Sequence, residues 1–135
     1  MALTKVTAAV LEPTAVTDNI SNGSISSDKI ANDAISYAKL GSEFTTAATL
    51  SASDVDFSTA QVFTKTLVAN DTLTFSNVST GMVKDLVITG NFTLTLPSSV
   101  KIISGEYDGT VSNLIQIAAT NGSTEQWATI SQEAV

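Results

Sequence analysis

The chain contains no cysteine, no histidine and no arginine, and its six basic residues are all lysine. Each absence removes a class of chemistry. Without cysteine there is no disulfide framework and no thiolate metal site. Without histidine the commonest general base and the commonest metal ligand are both missing. Without arginine there is no bidentate fork for phosphate or carboxylate. Positive charge is scarce altogether: 13 acidic residues outweigh the lysines, for a formal net charge of −7. A nucleic-acid groove needs a basic footprint, so this charge argues against nucleic acid as a partner. No stretch approaches the roughly 20 apolar residues of a membrane span, which argues against a membrane partner. The start, Met1-Ala2-Leu3-Thr4-Lys5-Val6, lacks the charged opening and continuous apolar run of a signal peptide. Synthesis in a cytoplasm, and solubility there, is the expectation.

Catalytic constellations are missing as well. There is no phosphate-cradling loop and no nucleophile elbow. Asp54 and Asp56 share a face if their segment is extended, and so do Glu106 and Asp108. Two carboxylates fall far short of the roughly six to eight oxygen ligands a calcium ion takes. Both pairs read as solvated acidic turns. The expectation is a non-enzymatic protein with no cofactor, no metal and no catalytic residues.

What the chain does have is a ladder. Val16, Ile20, Ile25, Ile30, Ile35 and Leu40 are spaced almost every five positions, with small and polar residues between them. Five residues rotate a helical side chain about 140° off its starting face. In a strand an odd spacing alternates faces. A regular element of one short chain therefore cannot bury this ladder against itself. Stacked turns of several chains can. The unit is clearest at ten residues, where Ser21–Ile30 lies over Ala31–Leu40 with Asn, Ile, Ser and Lys recurring in place. Asn22-Gly23 and Asn32-Asp33 suit turns. Ser26 and Ser36 suit caps of a single helical turn that ends near Ile30 and Leu40. Lys29 and Lys39 recur with the unit and keep its surface soluble.

The organisation follows. Residues 1–15 form a leader carrying Leu3, Val6, Val10 and Leu11, and residues 16–41 are the repeat. Residues 42–60 are rich in Ser, Thr and Ala and read as a connector anchored by Phe44, Leu50, Val55 and Phe57. From residue 61 to 135 short alternating runs are separated by turn residues. They predict strands over 62–67, 72–75, 83–89, 92–96, 100–103, 105–111, 114–118 and 126–130. Gly90-Asn91 reads as a tight hairpin turn and Asn121-Gly122 as another turn. The predicted core is Leu73, Phe75, Leu86, Ile88, Phe92, Leu94, Leu96, Ile115, Ile117 and Trp127. Such a set suggests a small antiparallel β-sandwich. A body of about 75 residues without disulfide or metal is near the lower limit of single-core stability, and oligomerisation is the natural remedy.

The segment Ile25-Ser26-Ser27-Asp28-Lys29-Ile30-Ala31-Asn32-Asp33-Ala34-Ile35-Ser36-Tyr37-Ala38-Lys39-Leu40 resembles repeats in fibre proteins of tailed bacteriophages, especially phages of marine bacteria. Strings of the form Ile-x-x-x-Lys-Ile-Ala-Asp-x-x-Ile are common there. The start of the chain is similar to starts of those proteins. The stretch from Phe63-Thr64-Lys65-Thr66-Leu67 through Leu94-Thr95-Leu96-Pro97 to Trp127 looks like their small β-rich head. The resemblance implies a homotrimeric virion component, assembled in the cytoplasm of a host bacterium. It would be mainly β, with an extended repeat shaft of turns and short helical turns and a small antiparallel β-sandwich tip. Leu3, Val6, Val10 and Leu11 would dock on capsid or tail proteins of the particle. Val16, Ile20, Ile25, Ile30, Ile35 and Leu40 would form the trimer seam. About two repeat units make a head fibre, capsid decoration or short tail fibre the expected form. The alternative is a tail-fibre tip that binds a host receptor or surface glycan through Tyr107, Glu106 and Asp108.

Overall fold

The computed structural model describes residues 30–32 and 34–134. These fall in two compact units divided after Ala38. The leader residues Leu3, Val6, Val10 and Leu11, and the seam residues Val16, Ile20 and Ile25, lie outside the described residues.

In the first unit the Ala34 N–H donates to the Ala31 oxygen at 3.0 Å, which closes a turn over Asn32. A single 3₁₀ turn, Tyr37–Lys39, follows Ser36 and stops before Leu40. Both features stand where the ten-residue unit places them. A helical turn at Ser42–Thr45 comes next, held by the Thr46 N–H on the Ser42 oxygen.

The second unit is mainly β. Its strands are β1 (Ala48–Thr49), β2 (Asp54–Asp56), β3 (Val62–Thr66), β4 (Asp71–Thr72), β5 (Thr74–Ser76), β6 (Val83–Thr89), β7 (Leu94–Thr95), β8 (Val100–Ser104), β9 (Asn113–Asn121) and β10 (Glu125–Gln132). They form one six-stranded sheet in the order β1-β3-β6-β9-β10-β8 and two small sheets, β2-β5 and β4-β7. The chain winds. β1, β3 and β6 stack in parallel, with Ala48 against Phe63 and Phe63 against Leu86. Asp54 stacks against Thr74, and Thr72 against Thr95. Each coil thus lays its strands over those of the one before, a β-solenoid-like arrangement with coils of roughly twenty residues. β9 and β10 then close the stack as an antiparallel hairpin on β6, and β8 returns in parallel on β10.

The expected antiparallel β-sandwich is therefore corrected at the level of pairing, because antiparallel ladders are confined to β6-β9-β10. Gly90-Asn91 is not a hairpin turn. It is the corner between two faces of one coil. Gly90 has φ 110°, and a Cβ there would strike the backbone of Leu67 in the coil beneath. Residues 105–111 form no strand, since Gly105 (φ 76°) presses on the Ile130 carbonyl and Asp108 starts a tight turn. Residues 42–60, read as a connector, supply β1 and β2 and three core residues, Val55, Phe57 and Ala60.

The core lies inside the coils. Along β6 the alternation sends Leu86 and Ile88 inward, where they meet Ile115, Ile117, Phe63 and Leu73, all essentially solvent-free. Each such side chain contributes about 1.5–3 kcal/mol by leaving water. Phe57 and Phe75 pack with their rings tilted by 45° and their centroids 5.2 Å apart. Phe75, Leu94, Leu96 and Leu50 are half-buried against this core. Three expected core or anchor residues are exposed instead: Phe92, Trp127 and Phe44. Trp127 falls on the outer side because Gln126, Ala128 and Ile130 take the inward positions of β10. Phe92 precedes β7 at a coil corner, and Phe44 sits on the helical turn before the first coil.

Candidate functional site

Three of the expected seam residues can be placed. Ile30 is 41% exposed, Ile35 61% and Leu40 41%. Among the described residues no strand or helix buries them, in keeping with the five-residue spacing.

The expected recognition residues come from one loop, between β8 and β9. Tyr107 is half-buried and donates its hydroxyl hydrogen to the Gly90 oxygen at 2.7 Å. Burial, and then the charge of Asp108, push this phenol above the ordinary tyrosine value. Asp108 accepts from the Thr110 N–H at 2.9 Å and the Thr110 hydroxyl at 2.7 Å, which hold its carboxyl below the usual range. Glu106 is exposed, and its backbone oxygen accepts from Gln132 Nε2 at 2.9 Å. Tyr107 and Glu106 line a groove of about 420 Å³ with Phe92, Leu94, Leu96 and Ile102. Asp108 does not line it. Its carboxylate is spent on the turn that precedes β9.

That turn is fastened by a residue the sequence reading passed over. Asn113 is fully buried. Its amide donates to the oxygens of Asp108 (2.7 Å) and Val111 (3.0 Å), and its Oδ1 accepts from the Asp108 N–H (2.9 Å). Lys84 and Gln126 are the other buried polar residues among those described. The Lys84 ammonium donates to the Ala60 oxygen at 2.7 Å and to Gln61 Oε1 at 2.6 Å. Burial holds it below the ordinary lysine value. Gln126 Oε1 accepts from Ser99 Oγ at 2.7 Å. The signal was available: Lys84 occupies an inward place in the alternation Lys84-Leu86-Ile88, and Asn113 the same place in Asn113-Ile115-Ile117.

The Asp54/Asp56 pair serves the coil. Asp54 accepts from Thr74 Oγ1 (3.0 Å) and Ser76 Oγ (2.6 Å) of the neighbouring strand. Asp56 accepts from Asn77 Nδ2 (2.8 Å), and then from the Ser58 hydroxyl and the Ser58 N–H, which together hold its carboxyl below the usual range. These carboxylates stitch one coil to the next. Lys65 and Asp71 form an ion pair at 3.0 Å, and Ser53 also donates to Asp71. Among the described residues no group of three or more acidic side chains gathers as a metal site would require, and no helix is long and apolar enough to cross a membrane.

Comparison with protein families, characterised proteins and solved structures finds no match to this chain.

Proposed function

We propose that this chain is a non-enzymatic structural protein of a tailed-phage particle. It acts as a homotrimer in which residues 1–15 dock on capsid or tail proteins, residues 16–41 wind round a three-fold axis, and the β body projects. A short head fibre, a capsid decoration or a short tail fibre all fit this description. The observation that carries it is the exposure of Ile30, Ile35 and Leu40 at five-residue spacing. Three large aliphatic side chains in a polar, alanine-rich segment cost solubility unless other chains cover them. The acidic pairs add support, because Asp56 and Asp108 are kept ionised by turn hydrogen bonds. That suits a structural turn and not a general acid, which needs a raised pKa.

Light scattering on the purified full-length chain tests the assembly. Three times the chain mass is expected, and a stable monomer with its apolar ladder exposed would sink the proposal. Gold labelling of intact particles then distinguishes head from tail.

A second reading rests on the groove beside β8. Phe92 is 42% exposed and Tyr107 faces the same groove, and aromatic faces suit stacking on sugar rings. A host surface glycan would bind there, and a glycan array with Phe92→Ala as control decides it.

A further inference from the structure

The outer face of the six-stranded sheet is uneven. At one end Val83, Ala118 and Trp127 stand side by side on β6, β9 and β10, in register across three strands. Ile103 of β8 lies beside them. Val83 is 55% exposed, Trp127 44% and Ile103 57%. Together they bound a shallow groove of about 260 Å³ with no charged side chain in its lining. The next row inward along the strands is polar: Asp85, Gln116 and Thr129, with Gln116 Nε2 donating to Asp85 at 3.1 Å. The small sheet β2-β5 is polar outside, its Asp54, Thr74 and Ser76 tied to one another.

The same corner carries an open strand edge. Among the described residues β8 pairs with β10 alone. It runs five residues without proline, and Ile102 and Ile103, at 50% and 57% exposure, are both open to solvent. The opposite edge, β1, is two residues long and is flanked by the Thr49–Thr64 hydroxyl pair. Shortness and polarity are how sheets blunt their edges. β1 is blunted in this way, whereas β8 has only Lys101.

We propose that this corner, the row Val83–Ala118–Trp127 with Ile103 and the β8 edge, is where a second copy of the chain docks. The choice of occupant follows from charge. Every copy brings a net charge of −7, so two copies repel where Asp54, Asp56, Asp71 or Glu106 faces outward. Here the centre is uncharged. Its rim holds the Lys101–Glu125 pair, with Lys101 still 61% exposed and open to an acidic group of a neighbour. A cationic partner would seek the acidic faces instead. A half-exposed tryptophan among aliphatic side chains is the usual composition of an interface centre. The inference rests on the oligomeric reading above and adds a contact within the β body, separate from the seam.

Trp127 is the only tryptophan in the chain, so its fluorescence reports on this corner without a label. Full-length protein is diluted through its association range, with emission and acrylamide quenching measured beside sedimentation velocity. Emission is expected to shift to the blue, and quenching to fall several-fold, in step with oligomer formation. Ile103→Asp is expected to weaken association at least tenfold and restore full quenching, with far-UV circular dichroism unchanged. If that variant fails to fold, the wild-type titration decides alone. An oligomer whose Trp127 is quenched as freely as in the monomer overturns this contact and leaves the seam standing. Trp127 shielded in a monomer, independent of concentration, also overturns it, because a segment of the same chain then covers the corner. A monomer at all concentrations with Trp127 exposed defeats both readings.

Discussion

The Lys84 ammonium donates to the amide oxygen of Gln61 at 2.6 Å, inside the coil, with no carboxylate partner among the described residues. Burial pushes its pKa below the ordinary 10.5. The unfolded chain therefore holds this proton more tightly than the folded chain. Between the folded and unfolded values the unfolded state binds more protons, so folding gains as pH rises through that window. The stability of the native chain relative to Lys84→Met is expected to increase as pH rises toward the ordinary lysine value of 10.5. Urea unfolding of both proteins across that range checks the sign.

Tyr107 has the opposite dependence. Its hydroxyl bond to Gly90 is worth about 1 kcal/mol against Tyr107→Phe. Its pKa is raised above 10.0 by burial and by Asp108. The unfolded phenol ionises first, so this contribution is present below the unfolded value and is lost as pH climbs through the folded one. The stabilities of the two proteins, followed by urea unfolding, are expected to converge on the alkaline side.

Asn113 replaces a missing stretch of ladder. Its side chain satisfies one N–H and two carbonyl groups of the 108–111 turn. Asn113→Ala removes all three bonds from this half-buried turn and leaves the Asp108 N–H and the Val111 oxygen without their side-chain partner, and a loss of about 2–3 kcal/mol is expected in chemical denaturation. Thr120→Ala, on an exposed strand end, is expected to cost less than about 1 kcal/mol.

Gly81 and Gly90 both have positive φ, 90° and 110°, but differ in surroundings. A Cβ on Gly81 meets open space, so Gly81→Ala costs only the backbone strain of about 1–2 kcal/mol. A Cβ on Gly90 also strikes the Leu67 backbone. Gly90→Ala is expected to cost about 3 kcal/mol or more. Equal losses in thermal unfolding would show that the coils are not held as closely as the stacking of Leu67 under Gly90 requires.

Ile30 and Ile35 make the assembly testable without touching the β body. Ile30→Asp with Ile35→Asp is expected to weaken association at least tenfold by sedimentation equilibrium. The far-UV spectrum of the strands should be unchanged, since the core is built from residue 48 onward.

The long strands were legible because alternation over seven or more residues has one answer. Val83–Thr89 was bounded correctly, and Leu86, Ile88, Ile115 and Ile117 were assigned inward. The winding was not legible. β2, β4, β5 and β7 are two or three residues long, too short to carry a period, and a glycine corner between coils uses the same residues as a hairpin turn. Parallel stacking also depends on what the previous coil offers, as Leu67 does to Gly90, and no local pattern records it. Trp127 reads as inward from the alternation of its strand. Gln126 and Ala128 hold the inward positions instead, with Ser99 satisfying the buried glutamine. Tyr107 and Glu106 line one groove while the Asp108 carboxylate serves a turn; a turn-forming aspartate and a recognition aspartate look alike in sequence.

In the coiled part of the body β3 touches only β1 on one side and β6 on the other. Its inward residue Phe63 meets Ala48 below and Leu86 above, with the same alternation on each level. One more coil inserted between Thr66 and Val83 would find the same parallel pairing offered below and above. The hairpin of β9 and β10 and the short β1 would stay as they are. The length of the coiled body is then set by counting coils, in steps of about 4.8 Å, and not by redesigning either end.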